Sequence, residues 1–186
     1  MSSILKVDQL QDSGGNAIIT SNGSGTFTSS LPNTGITMAD HWRITASTNS
    51  GTNATLSSNW ERVDDDSFEK IGTGMTESSG IFSFPSTGKY LVTEFWTVNI
   101  ASGDLIEVQG AITTDNSTYT TRTSSIVQAK GGSEYNLLSN QYLIDVTNIS
   151  NVKILFRTNS FASGSVVIGN TDNNRSSVSF LRIGDT

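Results

Sequence analysis

The single histidine of this chain, His41, stands between Asp40 and Trp42 and is the first candidate for a general base. A base needs a nucleophile or a second titrating group to act on. Cysteine is absent, which removes Cys–His dyads and leaves zinc without its usual ligands. Serines are plentiful, yet no G-x-S-x-G elbow occurs, and no pair of carboxylates is placed for hydrolysis of a sugar. His41 therefore reads as a surface or strand-edge residue. The acidic run Asp64-Asp65-Asp66 is the other concentration of chemistry. With Glu61 or Glu69 it offers oxygens to a hard cation such as calcium, but the D-x-D-x-D-G spacing is missing and the run reads as a solvated loop. A third kind of chemistry is recognition of a glycan, for which Trp60, Tyr119, Arg122 and Tyr135 supply stacking faces and donors if loops at one end gather them. No catalytic residue, metal or cofactor is expected, and the expectation is a non-enzymatic protein.

The elements that would position such residues follow from composition. Apolar residues make up 34% and charged residues 15% of the 186 positions, both below the usual share, and Ser, Thr, Asn and Gly fill the gap. Thr packs well on a pleated surface, whereas Ser, Asn and Gly form turns and weaken helix interiors. An all-β chain follows, with one principal domain and a short appendage. The formal net charge is −6 and the eleven Lys and Arg residues are scattered, so nucleic acid is not an expected partner. Lys6 and Asp8 interrupt the apolar stretch Ile4 to Leu10, which argues against an export signal. No uncharged apolar run approaches the roughly 18 residues of a membrane span, and a soluble protein without membrane insertion is expected.

Residues 1–35 read as an attachment segment and linker, and residues 36–186 as the head. Ile4, Leu5, Val7 and Leu10 form one extended piece, a turn cluster runs from Asp12 to Asn16, and Ile18 and Ile19 belong to a second. So few residues cannot bury their own apolar groups, because an isolated hairpin is marginal in water. The segment either docks on a partner surface or completes the head as an edge strand.

Strands are expected near Trp42–Ala46, Ala54–Val63, Gly80–Phe84, Gly88–Val98, Leu105–Thr113, Tyr119–Gln128, Tyr135–Val146, Asn151–Thr158, Ser165–Ile168 and Ser177–Ile183. In the strand Lys89–Val98, Tyr90, Val92, Trp96 and Val98 share one face and Leu91 and Phe95 the other. Two apolar faces imply a second cover, either a neighbouring subunit or a loop of the same chain. Tyr90, Leu91, Phe95 and Trp96 are the expected subunit-contact residues.

The segment Gly80-Ile81-Phe82-Ser83-Phe84-Pro85-Ser86-Thr87-Gly88-Lys89-Tyr90 resembles the G-x-F-x-x-P-x-x-G-x-Y of C1q and tumour-necrosis-factor-like domains, and Ser177–Ile183 is similar to their closing strand. The resemblance spans roughly residues 41–186 with these two anchors, the remainder matching in strand rhythm. It implies an antiparallel jelly-roll sandwich assembling as a homotrimer about an axis lined with apolar and aromatic residues. The opening Ser3-Ile4-Leu5-Lys6-Val7-Asp8-Gln9-Leu10 resembles the start of structural proteins of marine and cyanobacterial phages. That resemblance implies a virion protein of decoration or short-fibre type. It would be assembled in the host cytoplasm, carried on the virion surface, and held to capsid or tail proteins by its N-terminus. The alternative is a tail-fibre head that binds a receptor or a host surface glycan. Length favours the first, since the roughly 40 residues before the head reach at most about 140 Å even fully extended.

Overall fold

In the computed structural model the described residues are 7–29, 35–48, 51–65, 67–161 and 164–186. Ile4, Leu5 and Asp66 lie outside them. The chain divides into two units, residues 1–35 and 36–186. Among the described residues every regular element is a strand, and no helix is long and apolar enough to cross a membrane.

The first unit is a three-stranded antiparallel sheet of β1 (Gln9–Gln11), β2 (Ala17–Ser21) and β3 (Phe27–Ser29), in that order. Asp12 builds its first turn. One carboxylate oxygen accepts the backbone N–H groups of Gly14 at 2.8 Å and Asn16 at 2.9 Å, the usual way an Asp closes a tight loop. Leu10 faces Ile19 across the β1–β2 pair, and Val7, Leu10 and Phe27 stay exposed.

The second unit is a sandwich of two antiparallel sheets. One sheet runs β12 (Glu134–Val146), β9 (Gly88–Ile100), β15 (Ser176–Gly184), β4 (Ala39–Ile44), β6 (Trp60–Arg62), with β14 (Val166–Val167) also on β9. The other runs β11 (Thr120–Gln128), β10 (Leu105–Thr113), β13 (Lys153–Asn159), β8 (Ile81–Ser83), β7 (Thr76–Ser78), with β5 (Ala54–Thr55) also on β13. This is the jelly-roll sandwich that the resemblance implies. The expected strand Ala54–Val63 is broken into β5 and β6, because Asn59 takes φ 64° and turns the chain.

The two sequence anchors meet in the core. Phe82 lies 5.4 Å from Phe180, and Phe84 lies 4.7 Å from Tyr90 and 6.2 Å from Phe180. The Tyr90 hydroxyl donates to the Ser86 carbonyl at 2.9 Å, so its polar end is satisfied where its ring is buried. Both anchor glycines have steric reasons. A Cβ on Gly80 (φ 82°) would sit 2.4 Å from the Leu56 carbonyl oxygen, and one on Gly88 (φ 142°) 2.6 Å from that of Gly184.

Tyr90 and Trp96, expected at a subunit contact, are each 0% exposed within this core. They share the inward parity of β9 with Val92 and Val98. Trp60, expected to face a ligand, is half-buried and packs against this core. Its ring packs edge-on against Phe82 at 4.9 Å and Trp96 at 6.1 Å, and its indole N–H donates to the Leu56 carbonyl at 2.6 Å.

Glu94 has the same inward parity as Tyr90 and Trp96 and is 0% exposed. One carboxyl oxygen accepts the Trp96 indole N–H at 2.9 Å, and the other accepts the Tyr142 hydroxyl and the Thr123 hydroxyl, the latter at 3.3 Å. Gly110 leaves the room for this cluster. A Cβ there would lie 2.5 Å from Thr123 Oγ1, 2.7 Å from Tyr142 Oη and 2.9 Å from Glu94 Oε1. Burial pushes the Glu94 carboxyl above its ordinary range, against the opposing donors of Tyr142, Trp96 and Thr123. The folded chain therefore binds this proton more tightly than the unfolded chain. The stabilisation from Glu94 is complete below the ordinary carboxyl range and declines as pH rises through the raised value. Thermal melts between about pH 4 and pH 9 should show that decline in the native chain and a flatter profile in Glu94→Gln. Equal slopes would mean that Glu94 ionises normally inside the fold.

Candidate functional site

The face of the β12–β9–β15–β4 sheet that points away from the core holds a concentration of exposed apolar groups among the described residues of the second unit. Strand register sets its rows. Leu143 pairs with Leu91, Leu91 with Leu181, Leu181 with Ala39, and Ala39 bridges to Ile71. Directly paired residues project on the same side of a sheet, so five apolar residues cross it in one line. The row has exposed ends, with Leu143 at 62% and Ile71 at 46%. The next row is Gln141, Thr93, Ser179, His41, and the one beyond is Ser139, Phe95, Ser177, Arg43, Glu61. Phe95 is 43% exposed. Farther along β12, Leu137 and Tyr135 are exposed on the same side.

Beside the β4 end of these rows is a pocket of about 300 Å³, lined by Ala39, His41, Val63, Phe68, Glu69 and Leu181 among others. His41 Nε2 is shielded from water and has no hydrogen-bond partner among the described residues. Burial lowers the His41 pKa, with the Asp40 charge opposing and the Arg43 charge assisting. Ser179 is its cross-strand neighbour, but no hydrogen bond joins the two, so the hydroxyl has no activating base. The Asp40 carboxylate is turned elsewhere, accepting Trp42 Nε1 at 2.9 Å and the Met75 N–H at 2.6 Å and pairing with Arg62 at 3.0 Å.

Arg43 occupies the outer face with its side chain 5% exposed, held by Glu61 at 2.8 Å and Asp65 at 3.0 Å. Its hydrogen bond lowers the Asp65 pKa. Two of the carboxylates that could have served a cation are thus engaged by a guanidinium, and among the described residues no group of three or more metal-binding side chains is assembled.

The remaining expected residues are dispersed. Leu91 and Phe95 do lie on the outer face of β9. Tyr119 and Arg122 sit near the start of β11, on the other sheet, whereas Tyr135 is at the start of β12. With Trp60 half-buried against the core, the four ligand-facing candidates are not brought together. In the first unit Val7 and Leu10 are exposed, while Ile18 and Ile19 are half-buried.

Sequence reasoning missed Leu137, Leu143, Leu181 and the His41 pocket. The signal was present in β12, where Leu137 and Leu143 alternate with buried Leu138, Ile144 and Val146, the same two-faced pattern as in β9.

Comparison with known proteins bears on the fold alone. No family model matches the chain, and no curated protein matches it. Among solved structures it is similar to Eiger TNF from S. frugiperda, with TM-score 0.65 and 13% identity over 82% of this chain and 96% of that one. Murine APRIL at pH 5.0 aligns with TM-score 0.57 and 12% identity over 78% of this chain and 98% of that one. The sandwich is therefore a TNF-like jelly roll.

Because Arg43 already holds Glu61 and Asp65, millimolar calcium should leave the melting temperature of the native chain unchanged. A rise of several degrees that EDTA reverses would show that the Asp64 loop takes the cation after all.

Proposed function

We propose that this chain is a non-enzymatic structural protein of a phage virion, a homotrimer of jelly-roll heads attached to the particle by its N-terminal units. The observation that carries the assembly is the outer row Leu143, Leu91, Leu181, Ala39 and Ile71 with Phe95 beside it. Contiguous exposed apolar groups on a soluble sheet mark an interaction face, and TNF-like heads assembled as trimers would cover it. Leu91 and Phe95 are then contact residues, whereas Tyr90 and Trp96 brace the strand from behind.

The phage assignment is supported by the opening segment Ser3–Leu10 and by a cysteine-free, Ser/Thr/Asn-rich composition. A decoration or short-fibre role on the virion surface, after assembly in the host cytoplasm, follows from it. Attachment falls to the first unit. Val7, Leu10, Ile18 and Ile19, with Ile4 and Leu5 ahead of them, are too few for a core of their own. At about 1.5–3 kcal/mol for each side chain fully buried against capsid or tail proteins, three linked copies would hold firmly. The absence of enzymatic activity is supported by an unpartnered His41 and an unactivated Ser179. The placement of Trp60 against the core, and of Tyr119 and Arg122 on a different sheet from Tyr135, favours the structural role over the glycan-binding alternative.

Light scattering at micromolar concentration should give three times the 19.9 kDa chain mass, and Phe95→Glu should reduce it to one, because an unpaired carboxylate buried at an interface costs several kcal/mol. A native mass of one chain would overturn the trimer. Deleting residues 1–35 should leave a folded trimer with an unchanged melting temperature that no longer attaches to particles lacking the native protein. A truncated head that melts far lower yet still attaches would show that the first unit serves the head instead.

A further inference from the structure

His41 stands on the outer face between two apolar groups. Its row, Gln141, Thr93, Ser179 and His41, runs between the row that ends in Leu181, Ala39 and Ile71 and the row that holds Phe95 and Arg43. Its imidazole Nε2 is shielded from water and has no hydrogen-bond partner among the described residues. The pocket beside it is lined by Phe68 and Glu69, both exposed. We infer that His41 is a proton switch on the assembly face: neutral, it lets another copy cover the row, and protonated, it drives that copy off.

This rests on the proposed trimer and adds what regulates it. A neutral imidazole is covered at little cost, whereas an imidazolium brings a charge and two N–H donors that need acceptors. A covering copy also removes water from the pocket, so the charge would be buried unpaired. Which neighbours could pair with it decides the sign. On β4, Asp40 favours the charged ring and Arg43 disfavours it, and the Asp40 carboxylate is already held by Arg62, Trp42 and Met75. In and beyond β6, Glu61 and Asp65 are engaged by Arg43, while Asp64 and Glu69 are exposed and make no hydrogen bond to Nε2. From β15 and β9, Ser177, Ser179, Leu181, Leu91, Thr93 and Phe95 share this side and none of them titrates. Lys89, at the end of β9, is paired with Asp145 at 2.9 Å. Burial is the largest influence on the ring and holds its pKa below the ordinary histidine value. A base that binds its proton less tightly when covered leaves assembly unaffected above the pKa of the free copy and weakens it as pH falls through that value. Because three copies titrate together, a tenfold difference in proton affinity between free and assembled copies raises the trimer dissociation constant about a thousandfold.

His41 is the only histidine, so its ring protons can be followed by NMR in the native chain without ambiguity. Between about pH 8 and about pH 4.5 the native light-scattering mass should fall from three chains toward one, with the circular dichroism of the folded chain retained. The ring should titrate over the same interval, its midpoint below about 6.5, the ordinary histidine value. His41→Gln and His41→Phe, which take up no proton, should hold three chains throughout. If a variant fails to assemble at the start, coincidence of the native ring titration with the native mass change decides. A mass that stays at three chains while the ring titrates would overturn the switch and leave the trimer standing. A ring midpoint above the ordinary value would overturn it too, since the imidazolium would then have an acceptor. So would variants that dissociate along the native curve, or loss of the fold before the mass changes. A single-chain mass already at about pH 8 would bring down the proposed trimer as well.

Discussion

A β-strand has two faces and a two-sheet sandwich can cover only one of them. Most of what distinguishes this chain follows from β9, which is apolar on both. Its inward parity places Tyr90, Val92, Trp96, Val98 and Ile100 at 0% exposure, and its thirteen residues carry β12 on one side and β15 and β14 on the other. The outward parity then has no freedom. Leu91 and Phe95 must point away from the core wherever the inward residues are packed, because register slips of one residue would exchange the two sets wholesale. The same coupling reaches β12 and β15, whose pairing with β9 aligns Leu143 and Leu181 with Leu91.

Polar groups within the sandwich are tolerated only because neighbouring residues yield space and donors. Glu94 and Asp40 are both buried acids, and the fold treats them differently. Asp40 has a cation, Arg62, whose guanidinium also lies 4.6 Å over the Trp42 ring. Glu94 has only neutral donors, so burial disfavours its charge. Each depends on a glycine. A Cβ on Gly74 would come 2.8 Å from Asp40 Oδ2, and one on Gly110 2.9 Å from Glu94 Oε1. The strand register at Gly110 also shifts, a bulge that turns β10 past the cluster.

How much of this was legible in the sequence depends on whether the signal was local. The all-β class and most strand positions follow from composition and turn residues, whereas the contact of Phe82 and Phe84 with Phe180 is a pairing across the chain that neither anchor motif shows by itself. Side-chain parity of β9 was legible too, yet Tyr90 and Trp96 were grouped with Leu91 and Phe95 as contact residues, although parity already separated them. Trp60 shows the opposite limit. An aromatic beside Ser57, Ser58 and Asn59 looks like a loop residue, and only the positive φ of Asn59 and the packing against Phe82 turn it inward. The His41 pocket was invisible because it is assembled from β4, β15 and the chain between β6 and β7, a juxtaposition no local pattern encodes. The short β7, Thr-Glu-Ser, carries no apolar signal at all.

Exposed apolar residues are ordinary on protein surfaces when scattered. Here the chain is poor in apolar residues, at 34%, and still aligns five of them across one sheet face. The outer face of the other sheet, by contrast, is knitted by polar side chains. Arg157 and Thr121 both donate to Gln109 Oε1, and Asn159 and Ser124 both donate to Glu107. Such mutual satisfaction leaves few groups seeking a partner. That face has an apolar row of its own in Ile81, Leu155 and Ala111, but Leu155 and Ala111 are buried, and Ile126 is exposed beside Glu107. Self-assembly through the β12–β9–β15–β4 face, as proposed, would put that contrast to use.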